Sequence, residues 1–242
     1  MATYVLIDSK LWVDGFDMSG DKNRIAVDGP LALRDHTRFN DTGRRRAAGL
    51  KAPTLRAAGF WDTASTTFEP DKPYFDRLGS EVPVSCAPQD GLEGSVGYFF
   101  RAMEGRYELG ASIGEMLGFT VDAEGSDGVG LIRGTIIGNK NVAAGGPTNG
   151  TVFQLGQVGA GQTLYAVLHA LQVGTSIDVK IQSDDAGGFG TPTDRITFAQ
   201  KLAIGSEYKT LAGPIAADDR WRIVFTTVGA PNAKFIVLLG IR

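Results

Sequence analysis

Seven basic side chains lie between residues 34 and 56 against two acids, and Arg44, Arg45 and Arg46 are consecutive, with Lys51 close behind. Guanidinium groups pair bidentately with phosphates and with carboxylates. Such a run could therefore grip nucleic acid or bridge to another protein surface. The rest of the chain disfavours the first chemistry. Net charge is −3 and the sequence pI is about 5.4, whereas a protein that coats DNA is usually basic. Only Phe39 interleaves the run as a base-stacking aromatic. Outside 34–56, the first 150 residues carry nine basic side chains against eighteen acids, and residues 151–242 are near neutral. The basic run is thus an island in an acidic half-chain, and Arg44, Arg45, Arg46 and Lys51 are candidates for contact with an acidic protein surface.

Other chemistry has little to start from. The two histidines, His36 and His169, are far apart in sequence and lack HExxH-type spacing. The pairs Asp184–Asp185 and Asp218–Asp219 sit in turn-like stretches, where aspartate bonds its local backbone. Calcium would need several more converging oxygens. "GQVGAGQT" (156–163) has the outline of a phosphate loop, but Gln162 stands where the lysine must be. In "GVGLIRG" the third glycine comes one residue too late for a dinucleotide fingerprint. No Ser/His/Asp or Cys/His arrangement and no GxSxG elbow appear. The expectation is a protein that is not an enzyme, with no catalytic residue, metal or cofactor. One cysteine, Cys86, excludes an intramolecular disulfide and reads as a small buried apolar residue. No secretion signal or membrane-length apolar run is visible, so the chain reads as cytosolic when made.

The elements that must position these residues are strands. "TYVLID", "KLWVDG" and "NRIAVDGPLAL" read as short strands, followed by a long basic loop over 34–56. Pro73 and Gly79 frame a short helix at 72–78. "EVPVSCAP", "VGYFFRAMEGRYEL", "EMLGFTVDAEG" and "GVGLIRGTIIGN" continue the strands. Residues 139–150, rich in Gly, Pro and Asn, read as a linker. Beyond it Ile177, Val179 and Ile181 alternate with polar residues. Trp221, Ile223 and Phe225 do the same, and so do Phe235, Val237, Leu239 and Ile241. Period two over three segments predicts half-buried antiparallel strands of a sandwich, with Trp221 in its core. "TLYAVLHALQV" reads as one more strand. The 33 glycines, about twice the usual share, fit many tight turns. The fold class expected is all-β: strands with one short helix in residues 1–145, then an Ig-like or jelly-roll-like β-sandwich in 146–242.

"GLKAPTLRAAGFWD", "VGYFFRAMEGRYEL", "SIGEMLGFTVDAEGSDG" and "RGTII" follow one another in an order that resembles the major tail proteins, or tail-tube proteins, of long-tailed bacteriophages of the non-contractile type. The resemblance covers residues 1 to about 140 and rests on diffuse strand patterns. It implies a tail-tube-like β-sandwich or barrel in residues 1–145 and a structural virion protein whose copies join sheets edge to edge in hexameric rings. Those rings stack into a tube through which genomic DNA passes without specific binding. It also implies other tail proteins as partners, no membrane, assembly in the host cytoplasm, and a loop reaching the neighbouring subunit at 34–56. Residues 151–242 then read as a module on the outside of the tube. An acidic lumen would repel DNA from the wall. The alternative is a head decoration or glycan-binding accessory protein, which would need exposed aromatic rings on the second sandwich. Nucleic-acid binding through Arg44–Arg46 would show a steep salt dependence.

Overall fold

The computed structural model describes residues 8–20, 22–61 and 71–242. β1 (Lys10–Val13) and β2 (Phe16–Asp17) open the chain, joined by a turn in which Asp14 and Gly15 have φ of 45° and 81°. Then come β3 (Lys22–Asp28), β4 (Leu31–Asp35), β5 (Arg46–Lys51), β6 (Thr54–Phe60) and α1 (Asp71–Phe75), the only helix among the described residues. β7 (Glu81–Ala87), β8 (Val96–Gly110), β9 (Gly118–Gly125), β10 (Ile132–Val142), β11 (Gly145–Asn149) and β12 (Phe153–Gln154) follow. The chain ends with β13 (Thr163–Gln172), β14 (Ser176–Asp184), β15 (Thr193–Thr197), β16 (Gly205–Ala212), β17 (Arg220–Val228) and β18 (Ala233–Ile241). The protein is all-β with one short helix. Apart from Asp8, "TYVLID" lies outside the described residues. The helix expected at 72–78 spans Asp71–Phe75 and passes into turns up to Gly79, whose φ of 76° only glycine adopts without strain.

The chain divides into two compact units. The first comprises Met1–Gly20, Pro83–Phe99 and Ile132–Arg242, and the second Asp21–Val82 and Phe100–Leu131. This division differs from the boundary expected at 145/146. β10 lies before that boundary, yet it pairs antiparallel with β18 from Thr135↔Leu239 to Val142↔Ala233. Those ladder bonds place both strands in one unit. The glycine-rich stretch read as a linker forms β11, an exposed strand on β17 with a register shift between Gly145 and Thr148.

In the first unit one sheet runs β16-β13-β18-β10-β8-β7-β1-β2, with β8 represented by Val96–Phe99. A second sheet runs β11-β17-β14-β15, with β12 also on β17. Between them lies an apolar core that includes Ile177, Val179, Ile181, Trp221, Ile223, Phe225, Phe235, Val237 and Leu239, the three alternations read from the sequence. β18 is buried on its other face too, through Ile236 and Leu238. The reason is curvature. β13 and β7 stand four places apart in the first sheet, which in a flat sheet is about 19 Å. Yet Ser85 Oγ on β7 lies 2.8 Å from His169 Nε2 on β13. The sheet therefore curls into a half-barrel with its own interior.

In the second unit β3 pairs with β6, β6 with β9, and β9 with β8, all antiparallel. Leu55, Ala57, Phe119, Val121 and Tyr74 are buried in it. Trp61 Nε1 and the Tyr107 hydroxyl both donate to Asp71 Oδ1, at 3.1 and 2.6 Å, which anchors the start of α1.

Candidate functional site

β4 and β5 form a separate two-stranded sheet in the second unit, bonded to no other strand. Their register is Leu31↔Lys51, Leu33↔Ala48, Arg34↔Ala47 and Asp35↔Arg46, with a bulge between Leu31 and Leu33. Arg46 opens β5, Lys51 closes it, and Arg44 and Arg45 lie in the connection just before it. The expected long loop at 34–56 is therefore a hairpin running into β6. Basic side chains stand at both ends of β5, with Ala47, Ala48 and Gly49 between them, and charged edges discourage indiscriminate pairing.

The connection is tied locally. Asp35 Oδ1 accepts from the Thr37 amide at 2.9 Å, and hydrogen bonds from Thr37 hold the Asp35 carboxyl below its ordinary range. Asp41 Oδ2 accepts from the Arg38 amide at 2.8 Å, and Asp41 Oδ1 lies 3.1 Å from Arg45 Nε. Arg44, Arg46 and Lys51 pair with no carboxylate among the described residues. From 31 to 51 all but Ala32, Asp41 and Gly49 are exposed, including Leu33 at 56%, Leu50 at 80% and a fully exposed Phe39. The hairpin thus carries free cations beside uncovered apolar side chains.

The fold also makes a contact that the sequence conceals. Ser85 and His169, 84 residues apart, meet in the interior of the half-barrel, and both are fully buried. A Ser–His pair suggests a nucleophile and its base, but the hydrogen bonds run the wrong way. The Gly15 amide donates to His169 Nδ1 at 3.3 Å, so the proton sits on Nε2 and is donated to Ser85 Oγ. An imidazole that already donates to the serine cannot take its proton. Burial drives the His169 pKa down to about 3, with Asp14 opposing weakly, and the ring stays neutral. The pair is a strut across the half-barrel. Period two does place His169 and Ser85 on inward faces; what the sequence lacks is their partnership.

The remaining candidates resolve into scaffolding. Asp184 accepts from the Ala186 and Thr191 amides at 3.0 and 3.1 Å, closing its turn. The hydrogen bond and charge of Asp184 push the neighbouring Asp185 carboxyl up. Asp218 holds Arg195 Nη2 at 2.8 Å, and Asp219 holds Gln154 Nε2 at 2.8 Å. Among the described residues no three His, Cys, Asp or Glu side chains gather as metal ligands. Gln162 Oε1 accepts from the Gly159 amide at 2.7 Å, and the loop enters a strand rather than a helix. Cys86 is buried, and desolvation pushes its thiol up to about 11. In the second unit Glu104 is 1% exposed; desolvation pushes it up to about 8, while Arg77 and Lys22 pull the other way. Trp12 and Trp221 are buried, so neither offers a ring to a sugar. Among the described residues no helix is long and apolar enough to cross a membrane.

Fold and surfaces define an all-β protein whose most exposed feature is a basic and apolar hairpin. No family model and no curated protein matches the chain. Among solved structures it is similar to SPP1 Dit, described as a paradigm of the hub adsorption apparatus in phages infecting Gram-positive hosts. That match has 12% identity and a TM-score of 0.37, covering 97% of this chain and 99% of that one. It is also similar to a chain of the phage p2 baseplate in its activated conformation, at 9% identity and a TM-score of 0.34, covering 95% and 97%. A chain of the anti-feeding prophage baseplate matches at 14% identity and a TM-score of 0.38, covering 55% of this chain and 97% of that one.

Proposed function

We propose that this chain is a structural, non-enzymatic subunit of a phage-type tail that assembles with copies of itself into stacked hexameric rings around a DNA-conducting lumen. The observation that carries the reading is the β4–β5 hairpin. A two-stranded hairpin alone is marginal in water, and this one exposes Leu33, Phe39 and Leu50 beside unpaired Arg44, Arg46 and Lys51. Covering one such apolar side chain contributes about 1.5–3 kcal/mol. Arginines meeting carboxylates of a neighbouring copy would fix register. β3 and β16 are unpaired on one side among the described strands, and ring closure through a head-to-tail contact would use such edges. The sequence resemblance supplies the tail context and the hexameric count.

The test is assembly of the purified chain at high concentration, followed by negative-stain microscopy and native mass. Rings or short tubes are expected, and the combined Arg44→Ala, Arg45→Ala, Arg46→Ala variant should leave folded single subunits. A chain that stays monomeric at every concentration, alone and with tail proteins of the same particle, would overturn the reading. So would tubes of normal length from the triple variant, as far as the hairpin is concerned.

A further inference from the structure

The β4–β5 hairpin and the β8–β9 turn leave the second unit at opposite ends of one sheet. β3, β6, β9 and β8 lie side by side in that order. At one end Asp28 pairs with Thr54 and Thr54 with Glu124. There the chain leaves β3 for the hairpin and returns from it into β6. At the other end Phe60 pairs with Gly118 and Gly118 with Gly110, where β8 turns into β9. The run of β6 from Thr54 to Phe60 separates the two ends, about 20 Å of strand. The hairpin is exposed along nearly all its length, so it does not pack back along that sheet.

The β8–β9 turn complements the hairpin in charge and matches it in uncovered apolar surface. Ile113 is fully exposed, Met116 is 70% exposed, and Leu109 and Phe60 are exposed at the same end. The turn is preformed. The Glu115 amide donates to the Ser112 carbonyl at 3.0 Å, and the Trp61 amide to the Leu117 carbonyl at 2.9 Å. Residues 105–125 carry one basic side chain against four acids, whereas residues 34–56 carry seven against two. Arg106 meets Glu108, and Arg56 meets Asp122. Glu115, at the turn itself, is exposed and pairs with no cation among the described residues. A basic and apolar projection thus stands at one end of the sheet, and an acidic and apolar one at the other. The length of β6 keeps them apart within one chain, so a second copy supplies the cover that each lacks. Given the self-assembly proposed above, on which this assignment rests, we infer that the β8–β9 turn of one copy receives the β4–β5 hairpin of the next. Glu115 then faces Arg44–Arg46, and Ile113 and Met116 cover the apolar side chains of the hairpin. The two patches differ, so the contact is head-to-tail, the kind that closes into rings.

The experiment uses the full chain. Its single cysteine, Cys86, is buried, so engineered surface thiols react selectively. Chains carrying Arg44→Cys are mixed with differently tagged chains carrying Glu115→Cys and treated with a short bismaleimide. The mixed product is expected, and neither variant alone should give a dimer. Glu115→Arg should raise the concentration needed for assembly by about tenfold or more. Adding Arg44→Glu, Arg45→Glu and Arg46→Glu to that same chain should restore assembly. Glu124→Arg, which changes an exposed carboxylate at the hairpin's own end of the sheet, should leave assembly unchanged. Glu115 is exposed, so an unchanged melting temperature is expected. If Glu115→Arg nevertheless melts lower, Ile113→Asp gives the same comparison at a fully exposed position. Rings without the mixed product, or assembly indifferent to both Glu115→Arg and Ile113→Asp, would overturn this contact and leave the ring reading standing. Mixed product in pairs that never form rings would uphold the contact and overturn the rings. Neither mixed product nor assembly would overturn both.

Discussion

The sandwich strands β14 and β17 and the hairpin strands β4 and β5 are both antiparallel pairs, but they differ in what covers them. β14 and β17 pair over nine residues, and one face of the pair is closed by a second sheet, with Trp221 and Ile223 fully buried. β4 and β5 pair over fewer residues with neither face covered. The first pair is stabilised by its own chain, and the second presents apolar and cationic groups for which the described chain supplies no cover. Strand pairing alone therefore says little about stability, and the contents of the faces decide it.

The largest way to test that contrast is Trp221→Ala. A cavity that size should cost about 3–5 kcal/mol, read as a lower denaturation midpoint of the first unit. The pH response of the two units should then run in opposite directions. His169 titrates at about 3 in the folded chain against an ordinary 6.5. Its contribution is full above about 6.5 and is lost as pH falls toward 3, at up to about 1.4 kcal/mol per unit. Glu104 titrates at about 8 against an ordinary 4.5, so its contribution is full below about 4.5 and is lost as pH rises through 8. Hydrogen exchange resolved by residue should show the first unit loosening in acid and the second in mild alkali. Glu104→Gln should abolish the alkaline loss, and an unchanged alkaline response in that variant would refute the assignment.

Smaller still, Ser85→Ala leaves the buried Nε2–H of His169 without an acceptor and should cost about 1–3 kcal/mol, seen in thermal unfolding. The smallest expected stability effect is at the hairpin. Leu33→Ser with Leu50→Ser should change monomer stability by less than about 0.5 kcal/mol, yet abolish rings under the microscope. A large loss of monomer stability would mean the hairpin is covered within its own chain.

What the sequence made legible follows from range. The alternations at Ile177–Ile181, Trp221–Phe225 and Phe235–Ile241 are local, and period two reports them directly. The glycine turn at Gly79 that closes the segment after α1 is local as well. The unit boundary was not legible, because the β10–β18 ladder joins residues about a hundred positions apart and composition at 139–150 carries no trace of it. The Ser85–His169 strut was hidden for the same reason, since it exists only once the sheet curls. The basic run was conspicuous as charge, but its hairpin was not, because Arg46 and Lys51 lie among alanines and glycines that mimic loop composition.

The hairpin also has a consequence for handling the molecule. Arg44, Arg45 and Arg46 are three adjacent exposed bonds for trypsin on a segment with no packing behind it. The free chain should be nicked there first, yielding fragments of roughly one-fifth and four-fifths of its length. A subunit whose hairpin is seated on a neighbour should be spared. The ratio of cut to uncut chain then serves as a solution clock for assembly, readable on a gel.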